Sequence, residues 1–76
     1  MNVEEMEIYI LRDGDCNDLG AYNDIHYMYN DFVKYYADQY PQAKEKLLKS
    51  PFETEDILKF FSDIAFMVEV YLLQIV

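Results

Sequence analysis

The 76-residue chain is poor in the residues that cross-link small proteins or bind metals in them. It has one cysteine, Cys16, one histidine, His26, and no tryptophan. A single cysteine excludes an internal disulfide, and one cysteine with one histidine falls short of the four ligands of a structural zinc site. No oxyanion-binding motif supports a Cys–His nucleophilic pair, and no glycine-rich phosphate loop is present. The sequence therefore predicts a non-enzymatic protein with no cofactor and no metal.

Basic residues are also scarce. Six Lys and Arg stand against 15 Asp and Glu, which gives a formal net charge of −9. Residues 1–43 and 50–76 are acidic, and only the short segment 44–49 is basic. A surface of this sign repels nucleic acid and anionic membrane, and it attracts basic proteins. We therefore expect a basic protein partner and no direct contact with nucleic acid or membrane.

Signals for export or membrane insertion are missing as well. The first residues carry Glu4, Glu5 and Glu7 where a signal peptide would be basic. The apolar C-terminal run is interrupted by Asp63 and Glu69, and it is shorter than the ~20 residues that a bilayer requires. With a lone thiol, these features predict a cytoplasmic protein, in the host-cell cytoplasm if the gene belongs to a phage.

Apolar and aromatic residues are abundant, at 53% and 17% of the chain. A chain of this length is expected to form one small acidic domain over residues 1–76, and its stability is expected to be marginal. So high an apolar content predicts either dense aromatic packing within the monomer or a homodimer interface. For the interface, the C-terminal segment supplies Phe66, Val70 and Leu73.

Helical periodicity is clearest over residues 23–40. Asn23 or Asp24 can cap this helix, and Pro41 ends it. A short lysine-rich helix is predicted over 42–49, and a third helix is predicted to start at Ser50-Pro51 and to be firm as far as Ala65. The apolar positions recur every three or four residues: Ile25, Met28, Tyr29, Phe32, Tyr35 and Tyr36 in the first helix, and Ile57, Phe60, Phe61, Ile64, Val68 and Tyr71 in the last.

The two ends of the chain are ambiguous. Residues 3–12 alternate in a way that favours a strand, whereas a helix there would end at Gly14. Residues 67–76 are apolar without a clear period, and continuation of the last helix is favoured over a strand. The predicted fold is therefore mainly α, a small three- to four-helix domain whose N-terminal segment is a β-strand. In the alternative, the two terminal segments pair as strands of an α+β fold.

The loop predicted over residues 13–22 contains half of a calcium-binding motif. Asp13, Asp15 and Asn17 match the first three oxygen ligands of an EF-hand loop. The sixth position should be glycine and is Asp18, and the twelfth should be glutamate and is Asp24. These departures favour an ordinary turn, and no metal ligand is predicted.

A row of aspartates gives the candidate binding surface. Asp24, Asp31 and Asp38 are spaced by seven residues, which places them on one face of the predicted helix, and Asp18 could extend the row. Tyr27 lies beside them. Carboxylates flanked by tyrosine can occupy phosphate positions in a basic, nucleic-acid-binding groove. The other interpretation is a solvated helix face with Lys34 between Asp31 and Asp38.

In size, acidity and lack of catalytic motifs, the chain resembles the small phage inhibitors of restriction and CRISPR systems. The resemblance is one of composition and implies inhibition of a nuclease or CRISPR effector by partial DNA mimicry. Two alternatives remain open. One is a homo-oligomeric structural or regulatory protein, and the other is an antitoxin or immunity protein that docks on a basic toxin.

Overall fold

A computed structural model describes residues 4–75 and contains a three-stranded antiparallel sheet with helices packed on one face. The strand order is β2-β1-β3. The elements are β1 (Glu4–Arg12), β2 (Asp18–Tyr22), α1 (Ile25–Tyr35), a 3-10 turn (Ala37–Gln39), α2 (Pro41–Lys44), α3 (Thr54–Asp63) and β3 (Met67–Ile75). The mainly α prediction is therefore wrong, and the alternative pairing of the terminal segments is the observed one. The outer ends of those segments, Val3 and Val76, lie outside the described residues.

The central strand β1 pairs with β3 along its whole length, from Glu4 opposite Ile75 to Arg12 opposite Met67. Successive side chains of a strand point to opposite faces. Leu11, 1% exposed, faces the helices together with its partner Val68. Ile8 and its partner Tyr71 consequently face the other side, which we call the open face of the sheet.

Aromatic rings fill the space between the sheet and the helices. Phe32 of α1 is fully buried and packs edge-on against Phe60 and Phe61 of α3 and against Phe66. Tyr40 also packs edge-on against Phe66, with ring centroids 4.8 Å apart. Edge-to-face contacts of this kind add to the free energy gained from burial. Of the two expectations for the high apolar content, dense packing within the monomer is therefore the one observed.

Helix α3 ends in a Schellman motif. The N–H of Phe66 donates to the carbonyl of Phe61 at 2.8 Å, and the N–H of Ala65 donates to the carbonyl of Ser62 at 3.0 Å. Ala65 adopts a positive φ of 63°, a conformation usually left to glycine. The left-handed residue turns the chain back along the sheet, so β3 begins where the sequence predicted a continuing helix.

Replacing Ala65 by glycine is expected to stabilise the protein by about 1 kcal/mol, because glycine adopts a positive φ without the steric cost that alanine bears. Urea unfolding followed by circular dichroism measures the change. Ala21→Gly is the matched control, since Ala21 lies in a strand without positive φ, and there glycine should destabilise. A loss of stability in Ala65→Gly equal to that in the control would contradict the role of the left-handed turn.

Helix α1 is shorter than predicted. Its start is confirmed, because the carboxylate of Asp24 accepts hydrogen bonds from the first free N–H groups. Its end is not, because the helix stops at Tyr35 rather than continuing to residue 40. Tyr35 is 58% exposed, so its predicted burial is wrong.

The segment after α1 also differs from its prediction. The lysine-rich helix covers only Pro41–Lys44. Helix α3 begins at Thr54, where the N–H of Glu53 donates to the Asp56 carboxylate at 2.7 Å, and not at Ser50-Pro51. None of the helices within residues 4–75 is long and apolar enough to cross a membrane.

Candidate protein-binding surface

Helix α1 and its N-cap bring three of the five predicted binding residues together. Asp24 precedes the helix and accepts from the N–H groups of His26, at 2.8 Å, and Tyr27, at 3.3 Å. Tyr27 is 63% exposed. Asp31 lies on the same helix, roughly 10 Å along its axis from Asp24. The helix therefore presents two carboxylates with a tyrosine between them.

Asp31 is tied to the sheet through Tyr22, the last residue of β2. The Tyr22 hydroxyl donates to the Asp31 carboxylate at 2.6 Å. Burial, and then this hydrogen bond, raise the pKa of Tyr22. The Tyr22 ring crosses Gly20 so closely that a Cβ on Gly20 would lie 2.8 Å from the hydroxyl oxygen. Glycine at this position therefore allows the tyrosine to reach Asp31.

A groove of about 520 Å³ opens beside this hydrogen bond. Its lining combines strand and helix residues: Met6, Ile8, Ala21, Tyr22, Asn23, Tyr27 and Asp31. The Tyr22 and Tyr27 rings form one wall, with centroids 5.9 Å apart. Sequence reasoning missed Met6 and Ile8, because only the pairing of β1 with β2 brings them next to α1.

Asp38 is separate from this surface. It lies in the 3-10 turn after α1, and its carboxylate contacts Nζ of Lys44 at 2.7 Å. The lysine lowers the pKa of Asp38 through a hydrogen bond and through its charge. Because α1 ends at Tyr35, the prediction of one helical row through Asp24, Asp31 and Asp38 is wrong.

Asp18 lies at the start of β2, where it neighbours Arg12 of β1. Arg12 Nε contacts the Asp18 carboxylate at 2.6 Å, and the other side of the guanidinium contacts Glu69 of β3. Since Leu11 faces the helices, Arg12 belongs to the open face of the sheet. Asp18 is thus part of an ion-pair bridge across all three strands. It lies apart from the surface formed by Asp24, Tyr27 and Asp31, which we call the α1 surface.

The Arg12 bridge is expected to make stability pH-dependent. The guanidinium lowers the pKa of the Glu69 carboxyl, and the N–H of Asn17 lowers that of Asp13. A carboxyl whose pKa is lowered by folding contributes stability above its ordinary range and loses that contribution as the pH falls through the folded pKa. We expect the free energy of unfolding to fall from about pH 5 to about pH 3.

Arg12→Met should lower the urea midpoint at neutral pH and reduce this acid-side slope, because Glu69 loses the group that lowers its pKa. Lys59→Met, which removes the same charge from α3, should keep the wild-type slope. Urea titrations at several pH values measure both. An unchanged slope in Arg12→Met would show that the bridge has no part in acid stability.

The three predicted interface residues have different environments. Phe66 is 7% exposed and packs within the aromatic core, so its side chain is not on the surface of the monomer. Val70 and Leu73 are each half exposed on β3. Their side chains lie on opposite faces of the sheet, Val70 on the helix side and Leu73 on the open face. Their role in self-association stays a prediction.

The structure also shows the local environments of the remaining candidate residues, Cys16, His26 and Asp13. Cys16 is exposed in the turn after β1 and has a positive φ of 66°. His26 stacks on Phe52, with centroids 5.7 Å apart. Asp13 accepts from the N–H groups of Asp15 and Asn17, each at 2.9 Å. Within residues 4–75, no group of three or more potential ligands could hold a metal ion.

Comparisons of the chain with protein-family models, with curated proteins and with solved structures found no match. Its function must therefore be argued from its own residues.

Proposed function

We propose that the protein is a non-catalytic acidic binding protein that inhibits a basic, nucleic-acid-binding partner, such as a nuclease or a CRISPR effector, by covering part of its nucleic-acid site. The observation that supports this most is the placement of Tyr27 and Asp31 in the lining of the groove, with Asp24 at the start of the same helix, on a chain whose net charge is −9. This placement combines charge with an exposed aromatic ring. Interfaces commonly draw binding energy from the aromatic ring, whereas the charges speed association.

The mimicry of DNA is partial in this proposal. About 30 Å of duplex carries roughly 18 phosphate charges, twice the net charge of the protein. Two of the predicted acids, Asp18 and Asp38, already have basic partners within the chain. The protein therefore covers only part of the partner's basic groove and does not replace a full duplex. The surface that makes this contact is formed by Asp24, Tyr27 and Asp31 of α1 and its N-cap.

Retention on immobilised basic nucleases and CRISPR effector complexes tests the proposal. Binding should be strong at low salt and should weaken steeply as salt is added, because exposed charges are screened. Binding that ignores ionic strength, or no retention on any of these proteins at low salt, would contradict it. An antitoxin that docks on a basic toxin would use the same contacts, and gene neighbourhood separates that case.

A second candidate function is homo-oligomerisation, which one observation favours. Strand β3 is at the edge of the sheet, and its residues Val70–Leu73 are 45–62% exposed. Its one charged residue, Glu69, is engaged by Arg12. Natural edge strands are usually protected from pairing by lysine, proline or a bulge. An edge strand with these properties can pair antiparallel with the same strand of a second copy.

Leu73→Lys should abolish such pairing, because a lysine on an edge strand opposes addition of another strand. Sedimentation at high micromolar concentration should show a dimer for the wild type and a monomer for the variant. Leu58→Lys, at an exposed leucine of α3, is the control and should remain dimeric. A wild type that sediments as a monomer would remove this candidate function.

A further inference from the structure

Half of the central strand has an unpaired edge. Strand β2 pairs with β1 only from Tyr9 to Arg12, whereas β3 covers β1 from Glu4 to Arg12. Within residues 4–75, no strand covers the β2 side of Glu4–Ile8, which we call the free edge of β1. Main-chain N–H and C=O groups on such an edge can pair with an extended segment of another protein.

The free edge borders the groove beside α1, since Met6 and Ile8 belong to both. The surroundings are acidic. Asp31 lines the groove, and Glu7 accepts a hydrogen bond from the Tyr9 hydroxyl. The hydrogen bond to Glu7 raises the pKa of Tyr9. The charge of Asp24 raises it further, so Asp24 also lies near this edge.

Basic groups near the free edge are few. None of the groove-lining residues is Lys or Arg. His26, at the start of α1, has its Nδ1 4.0 Å from the Asp24 carboxylate. Charge complementarity therefore selects a basic occupant for this edge.

Strand geometry also constrains the pattern of that occupant. Glu5 and Glu7 share the helix side of the sheet with Leu11, and Met6 and Ile8 share the open face. Residues of an added strand directly opposite them face the same sides. The side chains beside Glu5 and Glu7 should then be basic, and those beside Met6 and Ile8 should be apolar.

We propose that an extended segment of the partner protein, with alternating basic and apolar residues, adds to the free edge of β1 as a fourth strand in line with β2. The inference rests on the proposed function, because it names the part of the basic partner that binds. The outer edge of β3 carries one acid that is already paired, so basic segments are directed to the free edge of β1.

A short synthetic peptide of alternating lysine and valine tests the proposal. Its controls are a peptide of the same composition with all lysines contiguous and the alternating peptide N-methylated at every residue. We expect the alternating peptide to bind about tenfold more tightly than either control, since only it combines side-chain match with main-chain pairing. Hydrogen exchange should show new protection of amides within Glu4–Ile8.

Variants of the protein locate the site. Tyr27→Ala and Asp31→Asn should each weaken binding of the alternating peptide. Asp15→Asn removes the same charge near the opposite end of β1 and should not weaken it. Equal weakening by Asp31→Asn and Asp15→Asn would indicate that only overall charge matters and would overturn strand addition.

Three other outcomes separate this proposal from the proposed function. Equal binding of all peptides without new protection at Glu4–Ile8 overturns strand addition and leaves acidic docking intact. Protection of this edge that is present without peptide and is lost on dilution assigns the edge to a second copy, which also overturns the proposal. New protection by the alternating peptide, with no retention on any basic nuclease or effector, supports the site while contradicting the inhibitor function.

Discussion

Phe32→Ala is expected to lower the free energy of unfolding by about 3–5 kcal/mol, a large part of the total for a domain of this size. Phe32 has no exposed surface, and its ring contacts five others at centroid distances of 5.2–6.4 Å, those of Tyr36, Tyr40, Phe60, Phe61 and Phe66. Truncating a buried phenylalanine to alanine costs about 3–5 kcal/mol, partly because a cavity remains. A domain of this size has roughly 4–11 kcal/mol of stability in total, so the substitution removes much of it.

Urea unfolding and thermal denaturation followed by circular dichroism measure this effect. Tyr35→Ala is the matched control, because Tyr35 is an exposed aromatic residue of the same helix. Its substitution should change stability by no more than about 0.5 kcal/mol. Similar urea midpoints for Phe32→Ala and Tyr35→Ala would refute the aromatic packing as the source of stability.

The second large effect is expected for partner binding in the triple variant Asp24→Asn, Tyr27→Ala and Asp31→Asn. Asparagine can still cap α1 and can still accept from the Tyr22 hydroxyl, so the two Asn substitutions remove charge while keeping the local hydrogen bonds. Loss of the two charges should slow association, and loss of the exposed Tyr27 ring should speed dissociation. Together they should weaken binding by about 100-fold or more, which corresponds to about 2.8 kcal/mol.

The matched control is Asp15→Asn, Tyr71→Ala and Glu45→Gln, which also removes two acids and one exposed tyrosine. All three positions lie outside the α1 surface, and binding should change by less than about threefold if the surface is local. Surface plasmon resonance gives both rate constants for each variant. Equal losses in the two triple variants would show that net charge alone drives binding.

The sequence was informative where signals were local. Helix α1 begins where Asp24 can accept the first free N–H groups, and its apolar spacing identifies Ile25, Met28, Tyr29 and Phe32 as buried. Propensity and capping act over a few residues, so they can be recognised without knowledge of the fold.

The sequence-based predictions were wrong where contacts between distant segments determine the secondary structure. Strand β2 contains Asp18 and Gly20, which are unfavourable in strands, and it is held by pairing with β1. Strand β3 follows a left-handed turn at Ala65, where no glycine marks the end of the helix. Because strand pairing depends on distant contacts and no glycine marks the stop at Ala65, the sequence predicts a helix over the apolar run from Phe66.

The candidate surface shows the same division. The positions of Asp24, Tyr27 and Asp31 on α1 followed from the helix prediction. Asp38 was separated from them when the helix ended early, and Asp18 was drawn to Arg12 on the sheet. The groove could not be predicted, because its lining joins β1 and β2 to α1.

The most direct test of the account is competition with nucleic acid for a basic partner. Fluorescence anisotropy would follow labelled DNA bound to a nuclease or effector that the protein retains at low salt, while the protein is added. The account predicts displacement of the DNA by the wild type and the Asp15/Tyr71/Glu45 variant, and much weaker displacement by the Asp24/Tyr27/Asp31 variant. Simultaneous binding of DNA and protein to the partner, or equal displacement by both variants, would contradict it.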